Sequence, residues 1–358
     1  MSSITESIVL DALRVVTDPD LGRDIVSLGF VKNLSIKDSL VSFTIELTTP
    51  ACPAKDQMRD QAEAAVAKLS GISKVDVNMT ASVRPVVSPE SSAAPIPGIK
   101  NIIAVGAGKG GVGKTTVAVN LAVALSQRGG RVGMIDADVY GPNVPIMLGL
   151  ESQLSSDGKK IVPAKKHGVQ VVSMGFLADS NAPIIWRGPM LHGIVKQFFK
   201  DVRWDELDYL VVDMPPGTGD VALSLSQTVP VAGAIVVTTP QKVSLADSRR
   251  AVAMYRKLKV PILGIIENMS SYVCNNCNHE SNIFGKGGGE IVAAELDVPF
   301  LGQIPIYEPI RVGSDSGLPI VLMESDSSAA RAFMQVSERA AAQISIASYE
   351  SIESAKQV

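Results

Sequence analysis

The chain is poor in cysteine, with three among 358 residues. Three thiols do not make the paired framework that staples small secreted domains, so a reducing, cytoplasmic setting is expected. It also lacks an excess of either charge: 33 Lys and Arg stand against 36 Asp and Glu, for a net charge of −3. That balance gives no electrostatic footprint for nucleic acid, which is not an expected partner. No apolar run approaches the roughly 18 residues of a membrane span, so no membrane partner is expected either. The opening residues Met1-Ser2-Ser3-Ile4-Thr5-Glu6 show neither the basic nor the apolar region of a secretory leader. There is no internal repeat. What remains is a composition with 46% hydrophobic and 19% charged residues, enough for a sizeable core in about two domains.

The boundary between those domains is written in proline and serine. Val83 to Gly98 (VRPVVSPESSAAPIPG) has no periodicity and reads as a linker. Before it, residues 1–82 read as a small α+β unit: a helix over Ile4 to Val16, a turn at Asp18-Pro19-Asp20-Leu21-Gly22, and strands at Val31–Ile36 and Leu40–Leu47. A helix at Lys55–Leu69 and a strand at Ser73–Met79 complete it. After it, residues 99–343 alternate apolar runs with helical patterns. The runs Ile102–Val105, Val132–Ile135, Val169–Ser173, Tyr209–Val212, Gly233–Thr238, Ile262–Glu267 and Phe300–Ile304 have the continuous Val/Ile character of buried parallel strands. An α/β fold with a mostly parallel central sheet flanked by helices follows, with its ligand site beyond the carboxyl ends of the strands. The polar segment 344–358 is expected to fray.

One strand end carries the most specific motif. Ile102–Val105 runs into Gly108-Lys109-Gly110-Gly111-Val112-Gly113-Lys114-Thr115-Thr116, and Val117 to Gln127 then has helical spacing. A strand, a glycine loop and a helix are the setting in which backbone N–H groups turn inward around phosphate oxygens, at a helix N-terminus that favours anions. Lys114 is then placed to bridge the β- and γ-phosphates of ATP and Thr115 to hold Mg²⁺. Two further strand ends supply hard oxygen ligands beside such a loop: Asp136-Ala137-Asp138 and Asp213, the latter in the Walker B role. Asp138 is the candidate for orienting an attacking water, and Asp136 for supporting the metal shell. The glycine-containing stretch Met214 to Asp220 resembles a switch sensing the γ-phosphate. Asn268, directly after a strand, either reads the base through its amide or is a turn residue.

Cys274-Asn275-Asn276-Cys277 lies in a segment without strand or helix periodicity that ends in Phe284-Gly285-Lys286-Gly287-Gly288-Gly289. Two thiolates at this spacing chelate a soft metal or an iron–sulfur edge, or form a redox dithiol. Zinc with His279 as a further ligand is an alternative. His167 and His192 have no assignment. A tetrathiolate site needs four ligands, and two chains with two cysteines each supply four. Cys52, in Thr48-Thr-Pro-Ala-Cys-Pro53, reads by itself as a half-buried structural cysteine, while the similarity of this segment to the MIP18-type domain implies a cluster or target contact.

Lys109, within Lys109-Gly-Gly-Val-Gly-Lys-Thr-Thr116, matches the deviant Walker A loop of the MinD/ParA/nitrogenase-iron-protein class. The segments Asp136–Asn143, Trp186-Arg-Gly-Pro-Met190, Asp213–Asp220 and the Cys-x-x-Cys with its glycine tail resemble the Mrp/ApbC family of iron–sulfur cluster carrier ATPases, over nearly all of residues 99–325. Residues 1–82, with Asp18-Pro-Asp-Leu-Gly22 and Thr48-Thr-Pro-Ala-Cys-Pro53, are similar to the MIP18-type domain. The resemblance implies a nucleotide-sandwich homodimer in which Lys109 reaches the partner's nucleotide. It also implies a bridging 4Fe–4S cluster on Cys274 and Cys277 of both subunits, slow ATP hydrolysis, and delivery to apo iron–sulfur proteins in concert with cluster assembly factors. Asn275 and Asn278 depart from the Pro and Gly common around these cysteines in the family. Two other classes compete: a MinD/ParA-like positioning or partition switch, and a zinc-binding metal-insertion NTPase. The first of these calls for a basic amphipathic tail, and Ala347 to Val358 is not one.

Overall fold

The computed structural model describes residues 4–86, 93–138, 141–150, 155–156, 158, 160–176, 193, 196–217, 219–274, 276–277 and 279–356. The motif Trp186–Met190, His192, and residues Val139, Tyr140, Thr218, Asn275 and Asn278 lie outside the described residues.

The N-terminal unit comprises α1 (Glu6–Leu13), a short antiparallel pair β1 (Thr17–Asp18) and β2 (Arg23–Asp24), then β3 (Val31–Lys37), β4 (Leu40–Leu47), α2 (Lys55–Ala67) and β5 (Lys74–Ala81). Strand β4 is central, antiparallel to β3 and parallel to β5. It buries Val41, Phe43, Ile45 and Leu47 while the residues between them are less buried, the period-two pattern of a sheet with one face on a core. Helix α2 meets that core with Met58, Ala62 and Val66, spaced four apart on one face. The turn after β1 is fixed by Asp18, whose Oδ1 accepts the N–H groups of Asp20 (3.0 Å) and Leu21 (2.9 Å).

The larger unit contains β6 (Ile99–Ala107), α3 (Lys114–Gln127), β7 (Val132–Asp136), α4 (Val144–Met147), β8 (Ser155–Ser156), β9 (Ile161–Val162), β10 (Ala164–Lys166), β11 (Val169–Ser173) and β12 (Leu207–Asp213). It continues with α5 (Asp220–Thr228), β13 (Val231–Thr238), α6 (Lys242–Lys257), β14 (Ile262–Val273), β15 (Glu280–Ser281), α7 (Gly288–Glu295) and β16 (Phe300–Ile306). Three helices close it: α8 (Glu308–Ser316), α9 (Ile320–Met323) and α10 (Ser328–Lys356). The strands β11, β7, β12, β6, β13, β14 and β16 are neighbours in that order and all parallel, and antiparallel β10 and β15 pair with β11 and β14. All seven apolar runs of the sequence are these parallel strands. Helix α3 is buried on every side from Val117 to Leu125, because it packs between the sheet and α10.

Two expectations change. Residues 344–356 do not fray; they continue α10, with Ile344, Ser345 and Ser348 buried. Their polar composition misleads because the buried hydroxyls are satisfied: Ser345 donates to the Ala341 carbonyl one turn back and Ser348 to that of Pro85 in the linker. Tyr349 packs against the core of the N-terminal unit and lies under the Arg23 guanidinium, 5.4 Å from the ring centre. The start of the proline-rich linker is also pinned. Val83 is buried, and the Asn101 side chain accepts from the Val86 N–H and donates to the Arg84 carbonyl, both at 3.0 Å.

The two units meet at the end of α3 remote from the glycine loop. A buried hydrogen bond of 3.0 Å joins the Thr49 and Tyr209 hydroxyls, and Pro50 lies against Gly129 just past α3.

Candidate nucleotide site and cysteine loop

The glycine loop spans the gap between β6 and α3, with α3 starting at Lys114, three residues earlier than its apolar periodicity shows. Gly113 caps the helix in a left-handed conformation, φ +79, and a Cβ there would come within 2.2 Å of Asn268 Nδ2. Only glycine satisfies both demands. The loop therefore closes over the N-terminus of α3, where the free N–H groups face any bound phosphate.

Strand register brings the acids together. Ser173, Asp136 and Asp213 are paired positions on β11, β7 and β12, and Asp213 pairs with Val105 of β6, just before the loop. Lys114 Nζ donates to Asp213 Oδ1 at 2.6 Å and stands 3.7 Å from Asp138 Oδ2. The Thr115 hydroxyl donates to Asp213 Oδ2 at 2.8 Å. Lys114, Thr115, Asp138 and Asp213 thus converge on one point at the carboxyl edge of the sheet. Burial raises the Asp213 carboxyl above its ordinary range, although Lys114 and Thr115 pull it down. A hydroxyl and carboxylates in this arrangement fit Mg²⁺, a hard cation that takes oxygen ligands.

Asp136 has a different place from the metal-supporting one expected. Its oxygens accept from the Asp138 N–H (3.2 Å), the Val144 N–H (3.2 Å) and the Ser173 hydroxyl (2.8 Å). Burial, then the neighbouring Asp213 charge, push it up to about 7. It anchors the chain after β7, so it acts on Asp138 through the backbone. Ser173 has no motif around it and was visible in the sequence only as the last residue of a strand.

Asn268 likewise turns inward. Its Nδ2 donates to the Val112 carbonyl at 2.8 Å, so the amide supports the glycine loop. Lys109, by contrast, is half-exposed and makes no hydrogen bond or ion pair among the described residues. Gly108, Gly110, Gly111 (φ +80), Val112 and Thr116 complete the loop and the first turn of the helix.

Strand β14 does not stop at Glu267 as its apolar run does. It continues through irregular pairing between Asn268 and Tyr272, with Met269 at φ +56, and reaches Val273. Tyr272 and Val273 then pair with Ser281 and Glu280 of β15, and the Cys274 N–H donates to the His279 carbonyl at 3.0 Å. Cys274 and Cys277 therefore sit on the tip of a hairpin, both thiols free and Cys277 exposed. The N–H groups of Asn276 and Cys277 face the Cys274 sulfur, and with the Cys277 thiol they lower its pKa, favouring thiolate. His279 is exposed, and among the described residues no group of three His, Cys, Asp or Glu side chains is arranged to hold a metal. Cys52 is separate, 8% exposed in the core of the N-terminal unit, with burial pushing its thiol up to about 11.

Residues 98–341 match the family model of NUBPL iron-transfer P-loop NTPases. The chain belongs to this family. Ahead of the NUBPL-type unit, residues 6–79 match the model of iron–sulfur cluster assembly proteins. The chain is 47% identical over 354 residues to the iron–sulfur cluster carrier protein of Synechocystis sp., across 96% of this chain and 99% of that protein. Among solved structures it resembles an Archaeoglobus fulgidus nucleotide-binding protein in complex with ADP, with TM-score 0.58 and 35% identity over 66% of this chain and 93% of that one. It also resembles the cell division ATPase MinD of Pyrococcus furiosus, with TM-score 0.50 and 26% identity over 67% and 97%. Among the described residues no helix is long and apolar enough to cross a membrane.

Proposed function

We propose that this NUBPL-type NTPase is an ATP-hydrolysing carrier of iron–sulfur clusters. It works as a homodimer, holds a 4Fe–4S cargo between Cys274 and Cys277 of both copies, and passes it to apo iron–sulfur proteins. The observation that carries this reading is the hairpin tip: two free thiols, Cys277 exposed, at the end of the strand that also supports the glycine loop. One chain offers half of a tetrathiolate site, so a second copy completes it.

In the nucleotide half of the cycle, Lys114 and the loop N–H groups would bind the β- and γ-phosphates, and Thr115 and Asp213 would hold Mg²⁺. The metal, when bound, neutralises charge on the transferred phosphoryl group. Asp138 orients the attacking water, and Asp136 keeps Asp138 in place. Lys109, without a partner among the described residues, is available to the nucleotide of the other subunit.

Anaerobic reconstitution with iron and sulfide tests the cargo. The wild-type chain is expected to dimerise and gain sulfur-to-iron charge-transfer absorption, and Cys274→Ala or Cys277→Ala to abolish both. A colourless protein holding stoichiometric zinc would sink the proposal. Transfer to an apo-ferredoxin, with and without ATP, then shows which half of the cycle the nucleotide drives.

A further inference from the structure

Glu267 is fully buried at the point where β14 leaves the apolar sheet, and no cation accompanies it among the residues that bond it. Its two oxygens are spent on backbone: Oε1 accepts the Gly287 N–H at 3.0 Å and Oε2 the Gly289 N–H at 2.6 Å. Those amides belong to the N-cap and the first turn of α7, whose N-terminus is a favourable place for a carboxylate. The fit leaves no room for a side chain. A Cβ on Gly289 would meet Glu267 Cβ at 2.9 Å, and one on Gly288 would meet Leu245 Cδ1 at 2.6 Å.

The next residue faces the other way. Asn268 holds the Val112 carbonyl of the glycine loop. Two consecutive residues therefore grip two different loops. The cysteine hairpin extends β14 beyond them, past Tyr272, and the chain that returns from it, through β15 and Phe284-Gly285-Lys286, is pinned by Glu267 at Gly287 and Gly289. Lys286 adds an ion pair of 3.3 Å to Glu280 on the returning strand. Both stems of the Cys274–Cys277 loop thus converge on the residue pair that supports the phosphate loop.

We propose that Glu267 is a positioning residue that couples the two loops: by clamping the returning stem, it makes the cysteine hairpin move with Asn268 and hence with the nucleotide state of the glycine loop. Without the clamp, the hairpin hangs from β14 alone and its thiols no longer sense nucleotide. The proposal rests on the nucleotide-linked carrier reading, but its test involves no iron, so it fails or stands apart from the question of cargo.

The experiment follows alkylation of Cys274 and Cys277 by iodoacetamide in the full apo-chain, site by site by peptide mass spectrometry, with and without Mg²⁺ and a non-hydrolysable ATP analogue. Nucleotide is expected to change the wild-type rate by about fivefold or more, the lower range of coupling between linked sites. In Glu267→Gln, whose amide NH₂ would confront a backbone N–H, the rate is expected to lose its dependence on nucleotide even when direct titration shows nucleotide bound. A wild-type rate indifferent to nucleotide, or a Glu267→Gln chain that keeps the wild-type ratio, overturns the proposal. Hydrogen exchange on the unaltered chain covers the case in which the variant does not fold. The Gly287 and Gly289 amides are expected to be protected and their protection to change with nucleotide; exchange at these amides that ignores nucleotide overturns it as well.

Discussion

Lys114 and Asp213 form a buried ion pair, Nζ to Oδ1 at 2.6 Å, between the residue placed to meet phosphate and the residue placed to meet Mg²⁺. Each serves as the other's counter-ion, a role that Mg²⁺ and nucleotide would take over in the proposed site. The exchange leaves no charge stranded in the low-dielectric edge of the sheet, where an unpaired ion is costly.

Removing one partner should therefore damage fold and function together. Lys114→Ala is expected to weaken nucleotide binding at least about tenfold, as loss of a charge-assisted contact does. It should also lower stability by about 3 kcal/mol, because Asp213 is left buried without a cation. Adding Asp213→Asn should restore much of the stability and none of the binding. Calorimetric titration and thermal melts separate the two effects; a Lys114→Ala chain that binds normally rejects the assignment.

Lys109 has a test that depends on two chains. Lys109→Ala is expected to bind nucleotide but hydrolyse it more slowly, by up to about 10³-fold if the lysine acts as an arginine finger does. Asp138→Asn should be inactive for a reason within its own site. Mixing the two variants should then recover activity, because one of the two mixed sites has an intact Asp138 and the partner's intact Lys109. No recovery on mixing would place Lys109 in its own site.

Asn268 supports the loop, so its loss should act on all nucleotides alike. Asn268→Ala is expected to weaken ATP and GTP binding by a similar factor, about tenfold for a lost buried hydrogen bond. A change in the ratio of the two affinities would instead show that the amide reads the base.

Asp208 gives the fold an acid-sensitive joint. Burial alone would raise its carboxyl, but Arg131 and Lys100 outweigh that and hold it at about 2, below its ordinary 3.8. Arg131 donates from its side chain to both oxygens and from its backbone to one, and Lys100 donates at 2.9 Å. A carboxyl depressed by folding stabilises above its unfolded pKa, and that contribution is lost as pH falls through the folded value. Between about pH 4 and pH 2 this group should therefore cost the fold about 2 kcal/mol. Denaturant titrations at successive pH values should show this loss in the wild type and a flatter acid limb in Asp208→Asn.

Much of the larger unit was legible because buried parallel strands announce themselves as Val/Ile runs and the glycine loop has a fixed spacing. The sequence could not show register, which puts Ser173, Asp136 and Asp213 side by side, so Asp136 was assigned to metal when its oxygens are taken by backbone and Ser173. The extension of β14 past Glu267 was hidden because Asn268 to Val273 is polar and irregularly paired. For the same reason the clamp at Glu267 had no signal: a carboxylate satisfied by backbone N–H groups twenty and more residues away leaves no pattern in the chain. The helical tail carries no clear signal because its few apolar contacts are split, Ile344 in the core of the larger unit and Tyr349 on that of the N-terminal unit.

The contact between Thr49 and Tyr209 would have a geometric outcome for the proposed homodimer. Helix α3 spans about 21 Å from its 14 residues, with the phosphate loop at one end and the N-terminal unit docked beyond the other. Two copies meeting through their nucleotide edges would leave their small units at opposite poles of the dimer. Each pole would then be free to receive a client while the cargo sits at the equator, so cluster and client would first be held apart, and handing over the one would require the other to travel along the flank of the dimer.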